Sequence, residues 1–253
     1  MPAIIYEEVC KQFNREGSYA VDHLSAMIEK GEFITILGSS GCGKTTLLKL
    51  TNRLYEPDAG RVMIDGRDIS GEDPVELRRR MGYVIQQVGL FPHMTVEENI
   101  TTIPRILKWD RKALKSRSDE LLHLVGLPPD QYSSRYPHQL SGGQQQRIGL
   151  ARALVMDPEI MLMDEPFGAV DAITRLNLQN ELKRLHEELH KTILFVTHDI
   201  NEAFKLAARV MVMNEGRLVQ FDTPAQIVKH PADDFVKTLI ESAKAQEEFW
   251  LYD

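Results

Sequence analysis

Short apolar runs rich in β-branched residues alternate along the chain with stretches of helical period. Phe33-Ile34-Thr35-Ile36-Leu37 predicts a buried strand that runs straight into Gly38-Ser39-Ser40-Gly41-Cys42-Gly43. Lys44 to Leu54 then predicts a helix, with Leu47, Leu48, Leu50 and Leu54 on or near one face. Upstream, Ile4, Tyr6, Val9 and Phe13 predict short strands with turns. Downstream, Pro57-Asp58-Ala59-Gly60 predicts a turn and Arg61-Val62-Met63-Ile64 a strand, closed by the hairpin-type turn Asp65-Gly66. From about Pro92 to Pro158 the period becomes helical. Segments 96–108, 110–126 and 141–156 predict helices between Pro- and Gly-bearing breaks, an inserted helical lobe. Ile160-Met161-Leu162-Met163 and Thr192-Ile193-Leu194-Phe195-Val196 predict further buried strands, with Leu178, Leu182, Leu185 and Leu189 as a helical stripe between them. Strand, helix, strand at this spacing implies a βαβ crossover and an α/β class with a parallel sheet.

Composition narrows the partners. The 253 residues carry 30 basic and 37 acidic side chains, a net charge of −7, which argues against nucleic-acid binding. The two cysteines, Cys10 and Cys42, are consistent with a reducing compartment. The first residues lack a basic region followed by an apolar core, so no signal peptide is expected. Apolar runs fall short of the ~18 residues that a membrane span needs. A soluble chain is expected, reaching a membrane only through a partner.

Gly38 to Thr45 fits G-x-x-x-x-G-K-[ST] between a strand and a helix, the context that pattern requires. Glycines let the backbone wrap closely around phosphate, with N–H groups converging at a helix N-terminus. Lys44 adds a positive charge for the outer phosphates, and the Thr45 hydroxyl suits Mg²⁺. Asp164 and Glu165 follow an apolar strand. The first suits Mg²⁺, and the second suits a base near the terminal phosphate of a nucleoside triphosphate. Ser141 and Gln144 have capping-box spacing, and Gly142 and Gly143 lie bare between them, a second helix start suited to anions.

Together these residues resemble the nucleotide-binding subunit of an ATP-binding-cassette (ABC) transporter. Gly38, Ser39, Ser40, Gly41, Cys42, Gly43, Lys44, Thr45 and Thr46 resemble its phosphate loop. Leu140-Ser141-Gly142-Gly143-Gln144 resembles its signature sequence, and Ile160–Glu165 its Mg²⁺ strand and catalytic carboxylate, in family order. The resemblance implies a P-loop NTPase with a RecA-like parallel-sheet core at about 1–90 and 158–230. An antiparallel β subdomain, a helical subdomain at about 91–157 and a helical tail at about 231–253 complete the single domain. It implies ATP and Mg²⁺ as cofactors. Gln86 then resembles the glutamine that contacts Mg²⁺ and the attacking water, with Gln87 as its neighbour in register. His198 resembles the switch histidine at the terminal phosphate, and Asp171 the loop aspartate at the dimer interface, although Val170 stands where leucine is more frequent. Phe13 resembles the aromatic that stacks on adenine, with Tyr19 as competitor.

The same resemblance implies a head-to-tail homodimer with two ATP molecules between its halves, on the cytoplasmic side of the membrane. The partners are transmembrane permease subunits, received at Leu90-Phe91-Pro92-His93, and indirectly an extracytoplasmic solute-binding protein. Glu76 to Thr95 and Asp164 to Arg175 resemble importers of osmoprotectants such as glycine betaine, carnitine, choline or proline. Another small solute, such as a polar amino acid, is the alternative. A soluble ABC ATPase of translation or repair lacks support, because neither a second cassette nor a long coiled-coil insertion is present. His186-Glu187-Glu188-Leu189-His190 fits a zinc pattern, but the leucine stripe marks a crossover helix without a third ligand nearby. Cys42 sits at a helix start whose dipole favours a thiolate; an inert thiol is the other reading.

Overall fold

The computed structural model describes residues 2–14, 17–86, 89–168 and 170–248. The chain divides into two units, Met1–Leu77 with Thr192–Asp253, and Arg78–Lys191. The second reaches further than the lobe expected at 91–157, taking in two strands and a long helix.

In the first unit, Pro2–Lys11 is one long strand rather than several short ones, paired antiparallel with Val21–Glu29 and Ala59–Ile64. The alternation fails between Tyr6 and Val9 because the register shifts there, with Glu8 left-handed at φ 49°. Asp65 and Gly66 turn the chain back into Arg67–Asp68 with positive φ at both, the hairpin turn that Asp-Gly specifies. Strand Phe33–Gly38 lies between Thr192–Thr197 and Arg209–Asn214, parallel to both, with every residue buried. Burial on both faces is why its sequence is continuous rather than alternating.

Helix Lys44–Thr51 ends sooner than predicted. Arg53 turns left-handed at φ 54° and the Asn52 side chain accepts the Leu54 N–H at 3.0 Å. Leu54 therefore leaves the stripe and is exposed. The tail forms helix Asp234–Glu248, whose Val236 and Ile240 pack with Leu37, Val210, Val212 and Ile227. Phe249 and Trp250 lie outside the described residues.

In the second unit, Met81–Val84 pairs parallel with Ile160–Asp164. The helix predicted over 96–108 is two helices, Val96–Ile100 and Thr102–Ile106. Pro104 has no N–H for the Ile100 carbonyl, so the ladder breaks at Thr101. Helices Arg111–Leu124, Gly142–Leu154 and Ala172–Leu189 follow, each with an aspartate or serine at its N-cap. Among the described residues no helix is long and apolar enough to cross a membrane.

Candidate functional site

The first unit builds the phosphate loop from backbone contacts. A Cβ on Gly38 would meet the Met213 carbonyl oxygen at 2.2 Å, and one on Gly43 the Ala20 carbonyl oxygen at 2.0 Å. Gly43 caps the helix at φ 106°, where a side chain is strained in any case. The turn at Glu215 and Gly216 supports the loop from outside, with the Gly216 N–H donating to the Cys42 carbonyl at 3.1 Å. Lys44 is only 5% exposed, and its ammonium donates to the carbonyls of Gly38 (2.8 Å) and Ser39 (2.9 Å). A buried cation inside a glycine-walled loop fits a polyphosphate, because an anion there gains charge-assisted bonds at low dielectric. Ser39, Ser40 and Gly41 are exposed beside it, and Thr45 and Thr46 are half-buried. A Cβ on Gly41 would meet nothing within 4 Å, so that side of the cradle is open. A cavity of about 850 Å³ adjoins it, lined by Tyr19, Ser39, Gly41, Asn214 and Arg217 among others.

Cys42 corrects the dipole expectation. Its thiol is buried, and burial pushes it up despite the nearby Lys44 charge. His198 follows strand Thr192–Thr197 and is exposed, in the same unit as the loop.

The second unit carries the carboxylates. Asp164 is buried as the last residue of strand Ile160–Asp164. Glu165 leaves that strand in a left-handed conformation, φ 44°, and its carbonyl accepts the Gly168 N–H at 3.2 Å. Its carboxylate accepts from the Gln86 amide nitrogen at 3.1 Å. Gln86 is thereby joined to Glu165 through its amide nitrogen, which leaves its carbonyl oxygen as a further polar atom at the strand end. In the second unit Gln86 and Asp164 each carry a side-chain oxygen, and in the first unit so does Thr45, the donor type a hard divalent ion prefers. Gln87 lies outside the described residues.

The signature residues form the predicted helix start. Ser141 Oγ accepts the Gln144 N–H (3.3 Å), and Gln144 Oε1 accepts the Ser141 N–H (3.0 Å), a complete capping box. Gln144 Nε2 also donates to the Tyr132 hydroxyl at 3.1 Å. Gly142 is exposed, whereas a Cβ on Gly143 would meet the Thr174 methyl at 2.5 Å. Asp171 caps helix Ala172–Leu189 by accepting the Thr174 N–H at 3.0 Å, a bond that holds its carboxyl below the ordinary value. The signature turn and the aspartate turn thus meet at Thr174.

Residues 21–168 match the family described as ABC transporter. The chain belongs to that family. The choline transport ATP-binding protein OpuBA of Bacillus subtilis is 56% identical over 234 residues, 92% of this chain and 61% of that protein. The glycine betaine uptake system ATP-binding protein YehX of Escherichia coli is 48% identical, over 92% of this chain and 75% of its own length. The chain spans about three fifths of the length of the first curated relatives it matches. Among solved structures, the dimeric post-hydrolysis state of the ATP-binding cassette MJ0796, bound to ADP and Pi, superposes with a TM-score of 0.76. It is 35% identical over 87% of this chain and 98% of that one. A P-loop ATPase cassette is therefore the fold.

Within this ABC cassette the aromatic candidates separate. Phe13 is exposed and packs edge-on to Tyr55 at 5.1 Å. Tyr19 instead lines the cavity beside the phosphate loop. In the zinc pattern, His190 ends its helix at φ 51°, and among the described residues no three-ligand cluster includes it or His186. Cys10, Asp22 and His23 do bring three ligand atoms within 4.8 Å of one another. They are engaged already, His23 Nδ1 with Asp22 at 2.7 Å and Asp22 with the Arg217 guanidinium at 2.6 Å. Sequence reasoning missed Tyr132, Thr174 and the Glu215–Gly216 turn. Only the last had a signal, a turn dipeptide between two strands.

Proposed function

We propose that the chain is the ATP-hydrolysing subunit of an importer for an osmoprotectant such as glycine betaine, carnitine, choline or proline. The observation that carries the reading is the glycine loop filled by the buried Lys44; the second unit separately holds a strand-end Asp164–Glu165 pair in which Gln86 donates to Glu165. The import proteins to which the chain is similar support the solute class. Loop amides and Lys44 bind the outer phosphates of ATP, and an aromatic ring stacks on adenine: Phe13 by the resemblance, or Tyr19, which lines the cavity beside the loop. Thr45, Gln86 and Asp164 would hold Mg²⁺, which neutralises phosphate charge when bound. Glu165 takes a proton from the water that attacks the terminal phosphorus; ADP leaves with the bridging oxygen. His198 donates to the terminal phosphate.

Two copies act head to tail. Ser141, Gly142, Gly143 and Gln144 of one cover the ATP on the loop of the other, with Asp171 at the same interface. ATP bridges the two surfaces and its hydrolysis releases them, which converts chemistry into motion of the permease subunits at the cytoplasmic side of the membrane. An extracytoplasmic solute-binding protein delivers the solute.

Proteoliposomes holding the chain with its permease test this. ATP-dependent uptake of labelled glycine betaine, carnitine, choline or proline is expected, and Lys44→Ala abolishes it. Uptake of a polar amino acid in their place overturns the solute class; ATP-independent uptake overturns the engine.

A further inference from the structure

His198 is exposed, yet it stands between two residues tied to one buried side chain. Thr197, the last residue of strand Thr192–Thr197, is 2% exposed, and Glu202, on helix Ile200–Leu206, is 7% exposed. The Thr197 hydroxyl donates to Glu202 Oε2 at 2.5 Å and accepts the Asp199 N–H at 3.0 Å. A hydroxyl has one hydrogen. Because the carboxylate takes it, a lone pair is left aimed at the Asp199 amide, on the far side of His198. The Asp199 carboxylate then accepts the N–H groups of Asn201 (2.9 Å) and Glu202 (3.3 Å), which returns the chain to the same glutamate. The residues before and after the histidine are thus closed into one ring of bonds.

A buried carboxylate is expensive unless its bonds are made, and an apolar residue would pack here at lower cost. The neighbouring Ala203 and Leu206 are also buried, so the helix docks through apolar side chains as well. The geometry points to a further role for the pair: Thr197 and Glu202 are positioning residues that fix the His198 backbone, and so the direction of its ring, for the hydrolysis step. This inference rests on the role proposed above for His198 and adds the device that holds it.

Four variants of the full chain separate the possibilities, read by ATP turnover, ATP affinity, thermal unfolding and the ring-carbon NMR signal of His198. His198→Ala identifies that signal by its loss. It must also abolish turnover; retained turnover removes the histidine from the chemistry and overturns the reading on which the inference stands. With that established, Thr197→Val is expected to lower kcat roughly 10- to 100-fold, the range for a catalytic group displaced by an ångström, while ATP affinity changes less than about twofold. It should also shift or broaden the His198 signal. Thr197→Ser keeps the hydroxyl and restores both. If Thr197→Val does not fold, Glu202→Leu serves instead: it removes the acceptor of the Thr197 hydroxyl, so kcat should fall and the His198 signal should shift as for Thr197→Val. The inference is overturned if Thr197→Val, or Glu202→Leu in its place, keeps parental kcat and an unmoved His198 signal, or if Thr197→Ser fails to rescue.

Discussion

The phosphate loop and the signature turn are both helix starts suited to phosphate, yet they are built in opposite ways. At the loop, the main chain approaches so closely that Gly38 and Gly43 face carbonyl oxygens of Met213 and Ala20 where a Cβ would stand. The nearest obstacles are backbone carbonyl oxygens, which yield less readily than a side chain would. At the signature turn, side chains set the geometry: Ser141 and Gln144 cap each other, Tyr132 holds Gln144, and only Gly143 is pressed, by a methyl group that can rotate. A backbone-built site responds to substitution all at once. A site built from side chains responds in steps.

The largest effect is therefore expected at Gly43→Ala. Strain of about 3 kcal/mol or more at the binding loop corresponds to roughly a 100-fold loss of ATP affinity. Equilibrium binding of a fluorescent ATP analogue measures it, and affinity within threefold of the parent would show that the loop bends. Gly143→Ala should be milder, about 1–2 kcal/mol of overpacking against Thr174. It should leave ATP binding by the isolated chain unchanged while weakening ATP-dependent pairing. Ser141→Ala removes one capping bond, for about 1 kcal/mol of stability by denaturant titration. A loss of ATP affinity by Ser141→Ala as large as that by Gly43→Ala would erase the distinction between the sites.

Asp171 gives the smallest and most specific effect. Its bond to the Thr174 amide lowers the carboxyl below 3.8, so the native state releases that proton more readily than the unfolded chain. The stabilisation is complete above the ordinary value and disappears as pH falls through the lowered one. The unfolding gap between the parent and Asp171→Asn should thus be constant above about pH 5 and close on acidification. A gap that widens in acid would reverse the assignment. Cys42 sharpens the contrast from the other side. A buried thiol whose burial opposes ionisation should resist alkylation with or without ATP, read by intact mass against the unfolded chain. Rapid labelling that ATP blocks would mean that the loop opens.

How far the sequence could be read follows the same division. Gly38 to Thr45 was legible because its chemistry lies in consecutive residues between a strand and a helix. Asp164, Glu165 and the Ser141–Gln144 capping box were legible for the same reason. The buried strands were visible as unbroken apolar runs. The early helix stop at Thr51 was not, because Leu54 is apolar and only the left-handed turn at Arg53 removes it from the face. The break at Thr101 had a written cause in Pro104, outweighed by the surrounding periodicity. Thr174 beneath Gly143 and Tyr132 behind Gln144 depend on packing between segments, and no local pattern announces it. Glu202 looks like any helix-surface glutamate until its burial is seen.

The central claim is that two copies close on ATP, and the direct measurement is sedimentation of Glu165→Gln with ATP and Mg²⁺. Without the carboxylate proposed as base, this variant should bind ATP and lose roughly 100-fold or more in turnover. It should sediment as a dimer holding two uncleaved ATP molecules and return to monomers when nucleotide is removed. A variant that stays monomeric with ATP bound, or hydrolyses it at the parental rate, would contradict the claim.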